Sequence, residues 1–131
     1  VELEIEGRVP ELPGRRSLID RVRGKHHPSL FDLRALVLEM ESDSRPLGLL
    51  ITLKSYAGGM ATALSLRELL LRLRKARRRV VVHLPGGIDT KGYFVASAAD
   101  EIYAFPGAEV ALLGFASGGV YVREALAKTG V

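Results

Sequence analysis

Apolar and polar positions alternate through the first six residues, VELEIE, which set Val1, Leu3 and Ile5 on one face and three glutamates on the other. That two-residue period predicts a strand with one buried face. The period changes at SLFDLRALVLEM, residues 29–40, where Leu30, Leu33, Val37 and Met40 fall on one helical stripe. Ser29 and Asp32 supply a capping-box-like start for that helix. Pro46 closes the region. LGLLITL, residues 47–53, follows and is apolar on both faces, the pattern of a strand inside a parallel sheet.

A second helix opens directly after Gly58 and Gly59, with Leu66, Leu69, Leu70 and Leu73 as its buried face. RVVVHL, residues 79–84, reads as another buried strand, and DTKGYFVASAAD, residues 89–100, as a third helix rich in small residues. EIYAF, residues 101–105, predicts a short strand, and AEVALLGF, residues 108–115, a further one. SGGVYVREALAKTG, residues 117–130, predicts a last helix with Gly130 as its stop. The stretch 7–28 holds three prolines, three glycines and several charges, and reads as loop. The order β-loop-α-β-α-β-α-β-β-α predicts an α/β fold with a mainly parallel sheet flanked by helices. Residues 1–131 form one domain on this reading, with no internal repeat or linker.

Composition narrows the picture. A chain of 131 residues, 47% hydrophobic, is long enough to bury a core, and no apolar run reaches bilayer length. The first residues lack the basic-then-apolar layout of a secretory leader, and the chain begins at Val1 rather than Met. The expectation is a soluble piece of a longer protein. Cysteine is absent, which excludes disulfides and thiolate metal sites. The net charge of +4 sits largely in Arg72, Arg74, Lys75, Arg77, Arg78 and Arg79. Such a run fits nucleic acid or anionic lipid, or a solvated helix end whose cations complement the helix dipole. No aromatics interleave with it as single-strand binding would require, so no nucleic-acid partner is expected.

The chemistry-bearing candidates each have a plain alternative. Gly58 and Gly59, between a strand and a helix, are either a steric turn or bare amides that meet an anion or oxyanion at a strand's carboxyl end. They lack the spacing of a dinucleotide or phosphate loop. His83, Asp89 and a serine could form a triad on paper, although no G-x-S-x-G elbow is present. His83 reads equally as a satisfied buried histidine. His26 and His27 are adjacent in a polar loop, poor metal geometry, and no metal or cofactor is expected. Thr90 with Lys91, and Ser117, sit at helix starts, as nucleophiles or as caps.

Three segments together resemble a known family: the strand ending in YAGG, residues 56–59; GYFVASAADEIYAFP, residues 92–106; and LLGF, residues 112–115, before a helix with Tyr121. They are similar to the N-terminal half of long-form signal peptide peptidase A (protease IV), within the ClpP/crotonase superfamily of repeated β-β-α units. The resemblance implies a membrane-associated serine peptidase with a Ser/Lys dyad, acting on released signal peptides at the extracytoplasmic face of the bacterial membrane. It implies a homo-oligomer, and a C-terminal repeat that supplies the serine. It gives the oxyanion or substrate-cradling role to Gly58 and Gly59. In catalytically complete repeats Ser-Gly-Gly-Tyr opens the helix that here reads TKGY, so Thr90 stands at the nucleophile position and Lys91 replaces a glycine. Neither Lys91 nor Ser117 matches the family's catalytic residues. The resemblance therefore implies that the chain has no catalytic residue of its own, is inactive alone, and supplies scaffold and part of a peptide groove. The alternative is a crotonase-like acyl-CoA enzyme that uses similar backbone amides on a thioester oxyanion.

Overall fold

A computed structural model describes residues 1–13 and 28–114 of the chain. Its elements are β1 (Glu2–Gly7), α1 (Leu30–Ser42), β2 (Gly48–Tyr56), α2 (Met60–Lys75), β3 (Arg79–Leu84), β4 (Ile88–Asp89), α3 (Thr90–Ala96), β5 (Glu101–Ala104) and β6 (Val110–Ala111). His26, His27, Ser117, the final helix expected at 117–130 and the middle of the 7–28 stretch lie outside the described residues. The ends of that stretch that are described are not all solvated, because Val9 is buried with the core.

β1, β2, β3 and β5 form a four-stranded sheet in that order, every neighbouring pair parallel. Each step moves one strand further in the same direction through a helical crossover. Right-handed connections then put successive helices on one face. Leu33 and Val37 of α1, Leu66 and Leu70 of α2, and Val95 of α3 accordingly meet Ile5 and Ile51 in one apolar layer. The fold is α/β, a parallel sheet flanked by helices.

β2 lies inside the parallel sheet, paired on both edges, as its pattern predicts, but the two-sided burial that goes with such a pattern needs correction. β2 is not buried on both faces: Leu49, Ile51 and Leu53 are covered, while Leu50 is 38% exposed and the Lys54–Glu4 ion pair lies in solvent beyond it. Among the described residues, all helices pack on the face that carries Ile51, so the face that carries Leu50 is left open.

The helix starts follow local chemistry. Ser29 accepts from the Asp32 amide, and the Asp32 carboxylate accepts from the Ser29 amide, closing a capping box. Leu30, Leu33, Val37 and Met40 are all buried. No basic residue lies in the last turn of α1; its carbonyl end is met from a distance, by the Arg78 guanidinium donating to Met40 O and Asp43 O. α2 ends in a Schellman turn, with Arg77 N bonded to Arg74 O and Arg78 N to Leu73 O.

α3 is shorter than the pattern over 89–100 suggests. Its last amides tighten into three-residue turns, Ala98 N to Val95 O and Ala99 N to Ala96 O, and Asp100 then joins the sheet. The Asp100 amide donates to Val80 O, and its carboxylate accepts from the Val80 amide and from Arg74. The backbone hydrogen bond and the guanidinium hold this carboxyl below its ordinary range. β4 and β6, two residues each, pair in a second small parallel sheet. β4 was not legible as a strand, and β6 is far shorter than the 108–115 expected.

Candidate functional site

The segments that leave the carboxyl ends of β2 and β3 lie side by side; the first runs directly into α2, the second through the short β4 into α3. From β2 the chain passes through Tyr56, Ala57, Gly58 and Gly59 into α2. The Ala57 amide is spent on Gly7 O at 3.0 Å. The Gly58 and Gly59 amides have no hydrogen-bond partner among the described residues.

The two glycines have different reasons. Gly58 is buried, and a Cβ there would run into the ring and hydroxyl of Tyr56. Gly59 is exposed, and nothing lies within 4 Å of where its Cβ would be. Its φ of −74° and ψ of 169° are open to any residue. As N-cap of α2 it provides no side-chain cap, although Ser, Thr, Asp or Asn would be favoured there. Packing inside the protein therefore explains Gly58 and leaves Gly59 unexplained. What Gly59 leaves is bare backbone at the positive end of a 16-residue helix.

Tyr56 fixes this turn from beneath. Its hydroxyl donates to Gly59 O at 2.9 Å. Burial, reinforced by the Asp89 charge and opposed by a hydrogen bond with Thr62, pushes its pKa up. The phenol stays protonated and remains a donor. Sequence reasoning gave this residue no role of its own; its one signal was an aromatic two positions before the first glycine.

From β3 the chain reaches Asp89, which caps α3 by accepting from Gly92 N at 2.8 Å. Thr90 directs its hydroxyl at carbonyl oxygens of the β6 strand and the residues after it, Leu113 O at 2.5 Å and Ala111 O at 3.3 Å. A hydroxyl with its proton committed to a carbonyl has no base to activate it. Lys91 reaches across to the other loop. Its Nζ donates to Gly58 O at 3.1 Å and lies 3.8 Å from Asp89 Oδ2. The structure thus brings Gly58, Gly59, Asp89, Thr90 and Lys91 into one neighbourhood, with the threonine turned to β6 and the lysine to the glycine turn.

His83 does not join them. It alternates with the buried Val82 and Leu84, which places it on the open face of the sheet, half-buried rather than in the core. No hydrogen bond links it to Asp89, so the paper triad is not assembled. Among the described residues, no group of three His, Asp or Glu side chains is placed to hold a metal ion.

The basic run is largely engaged within the molecule. Arg72 pairs with Glu41, Arg74 with Asp100, and Arg79 with Glu101, while Arg78 caps α1. Nearby, Arg67 of α2 donates to Phe94 O and Ser97 Oγ and lies 4.8 Å over the Phe94 ring, joining α2 to α3. No described helix is long and apolar enough to cross a membrane.

A search of curated protein sequences finds no match to the chain. Residues 72–131 match peptidase family S49. The matched stretch begins in the last turn of α2 and includes Asp89, Thr90 and Lys91, and leaves Gly58 and Gly59 outside.

Proposed function

We propose, from the peptidase family S49 sequence carried by residues 72–131, that this chain is a non-catalytic repeat of a signal-peptide-degrading serine peptidase. It is a ClpP/crotonase-like unit, contributes scaffold, and offers the Gly58–Gly59 turn as part of the groove that cradles a peptide backbone. The parent has a Ser/Lys dyad whose serine lies in a C-terminal repeat. It assembles as a homo-oligomer and works at the extracytoplasmic face of a bacterial membrane on released signal peptides.

The observation that carries this reading is the division of labour between the two adjacent loops. One presents, at a helix start, an exposed Gly59 amide with no hydrogen-bond partner among the described residues, beside a Gly58 packed under the Tyr56 ring. The other ends in a hydroxyl tied to carbonyls at 2.5 and 3.3 Å. Free amides suit a peptide carbonyl or a developing oxyanion. A threonine without a base does not attack. Lys91 Nζ is turned to the Gly58 carbonyl and the Thr90 hydroxyl to Leu113 O and Ala111 O, so the lysine is not placed to take that hydroxyl's proton.

The test is turnover. The 131-residue chain is incubated with a peptide ester and with a fluorophosphonate that labels activated hydroxyls. The expected result is neither hydrolysis nor labelling, and no change on Thr90→Ala or Lys91→Ala. Turnover that disappears with either substitution contradicts the reading.

A further inference from the structure

Lys91 has a role that its sequence position does not suggest. Its Nζ touches a backbone oxygen 33 residues away rather than water alone. Gly58 C=O and Gly59 N–H belong to the same planar trans peptide unit, so they point in opposite directions. Whatever fixes the carbonyl also fixes the amide.

We infer that Lys91 is a positioning residue: by holding Gly58 O it turns the Gly59 N–H the opposite way, away from the Lys91 ammonium. The inference rests on the proposed peptide-cradling role of this turn and deepens it by naming what sets the amide's direction. Two flanking glycines give the unit wide backbone freedom, so the amide needs an external tie. The following unit has its own: Gly59 O accepts from Tyr56 Oη at 2.9 Å and from Ala63 N at 3.1 Å. Lys91 supplies the matching tie for the unit before it.

The anchor behind Lys91 is firm. Asp89 caps α3 through Gly92 N, and Thr90 binds the same helix end to Leu113 O. The lysine stem thus starts from a pinned backbone, and Asp89 Oδ2 at 3.8 Å draws the ammonium from the other side. Thr90, useless as a nucleophile here, steadies the residue that orients the amide.

The experiment uses the ¹⁵N-labelled protein with two variants. Lys91→Met keeps the stem and removes the donor; Lys91→Arg keeps a donor and the charge. In Lys91→Met the Gly59 amide is expected to lose its fixed orientation, its order parameter falling from about 0.85 to below about 0.6, with the amides of α1 and β1 unmoved. If the held orientation falls to about a tenth of the molecules, binding of a short unstructured peptide weakens about tenfold. Lys91→Arg restores both. An unchanged Gly59 amide in Lys91→Met overturns the inference, as does a general loss of order that extends through α3 and β3. Peptide that binds neither the unmodified protein nor the variant, with Gly59 still loosened by Lys91→Met, sinks the cradle reading and leaves the positioning role standing.

Discussion

The Tyr56 ring occupies the space that a side chain on residue 58 would take, while among the described residues nothing lies within 4 Å of where a Cβ on residue 59 would be. Adjacent glycines thus answer to different pressures. Gly58→Ala must displace a buried aromatic and is expected to cost about 1–3 kcal/mol. Gly59→Ser is expected to gain a few tenths of a kcal/mol by capping α2, and to impair any function that needs the bare amide. Urea denaturation of the two variants, with peptide binding measured on each, checks the split. A Gly59→Ser protein that is more stable and binds peptide as before would remove the reason for a glycine there.

Asp100 gives the fold a defined acid sensitivity. Its carboxyl is held below the ordinary value by the Val80 amide and by Arg74. The folded state therefore binds the proton less readily than the unfolded chain. The stabilisation is complete above the unfolded value of about 3.9 and fades as pH falls through the lower folded value. Glu41, Asp43 and Glu101 are lowered as well, so the wild-type acid limb is shared. Asp100→Asn should make the urea midpoint less dependent on pH below about pH 4; an identical slope contradicts the assignment.

Arg77 has a φ of 59°, the one non-glycine residue in the left-handed region among those described. It stands at the position after the helix cap where glycine is usual, and its side chain adds steric cost with no hydrogen bond of its own among the described residues to offset it. Arg77→Gly is expected to stabilise the protein by about 1 kcal/mol. Thermal denaturation monitored by circular dichroism measures this directly, and a lowered midpoint would show that the arginine side chain contributes more than its backbone costs.

What could be read from sequence was local. The Ser29–Asp32 box and the Leu30–Leu33–Val37–Met40 stripe are relations between residues three or four apart, and both appear as the pattern predicts. The parallel α/β class followed from alternation of strands and helices. The apolar run of β2 could not say which of its faces a helix would cover, because that depends on the direction in which each crossover steps. The β4–β6 pair, two residues a side, has no period to detect. At the site, the glycine pair and the Thr90 departure were visible as residues. Their meaning was not, since Lys91–Gly58 and Thr90–Leu113 are contacts between distant positions. The basic run likewise looked like a charged patch until its acidic partners were placed beside it.

The central claim is that the Gly58–Gly59 turn, whose exposed Gly59 amide has no partner among the described residues, borders a groove that receives peptide backbone. Titration of the ¹⁵N-labelled protein with a short apolar peptide ending in small residues tests it most directly. The account predicts saturable shifts of the Gly58 and Gly59 amide resonances, with α1 and the β1 edge unmoved. Saturable binding that leaves those two amides unmoved would contradict it.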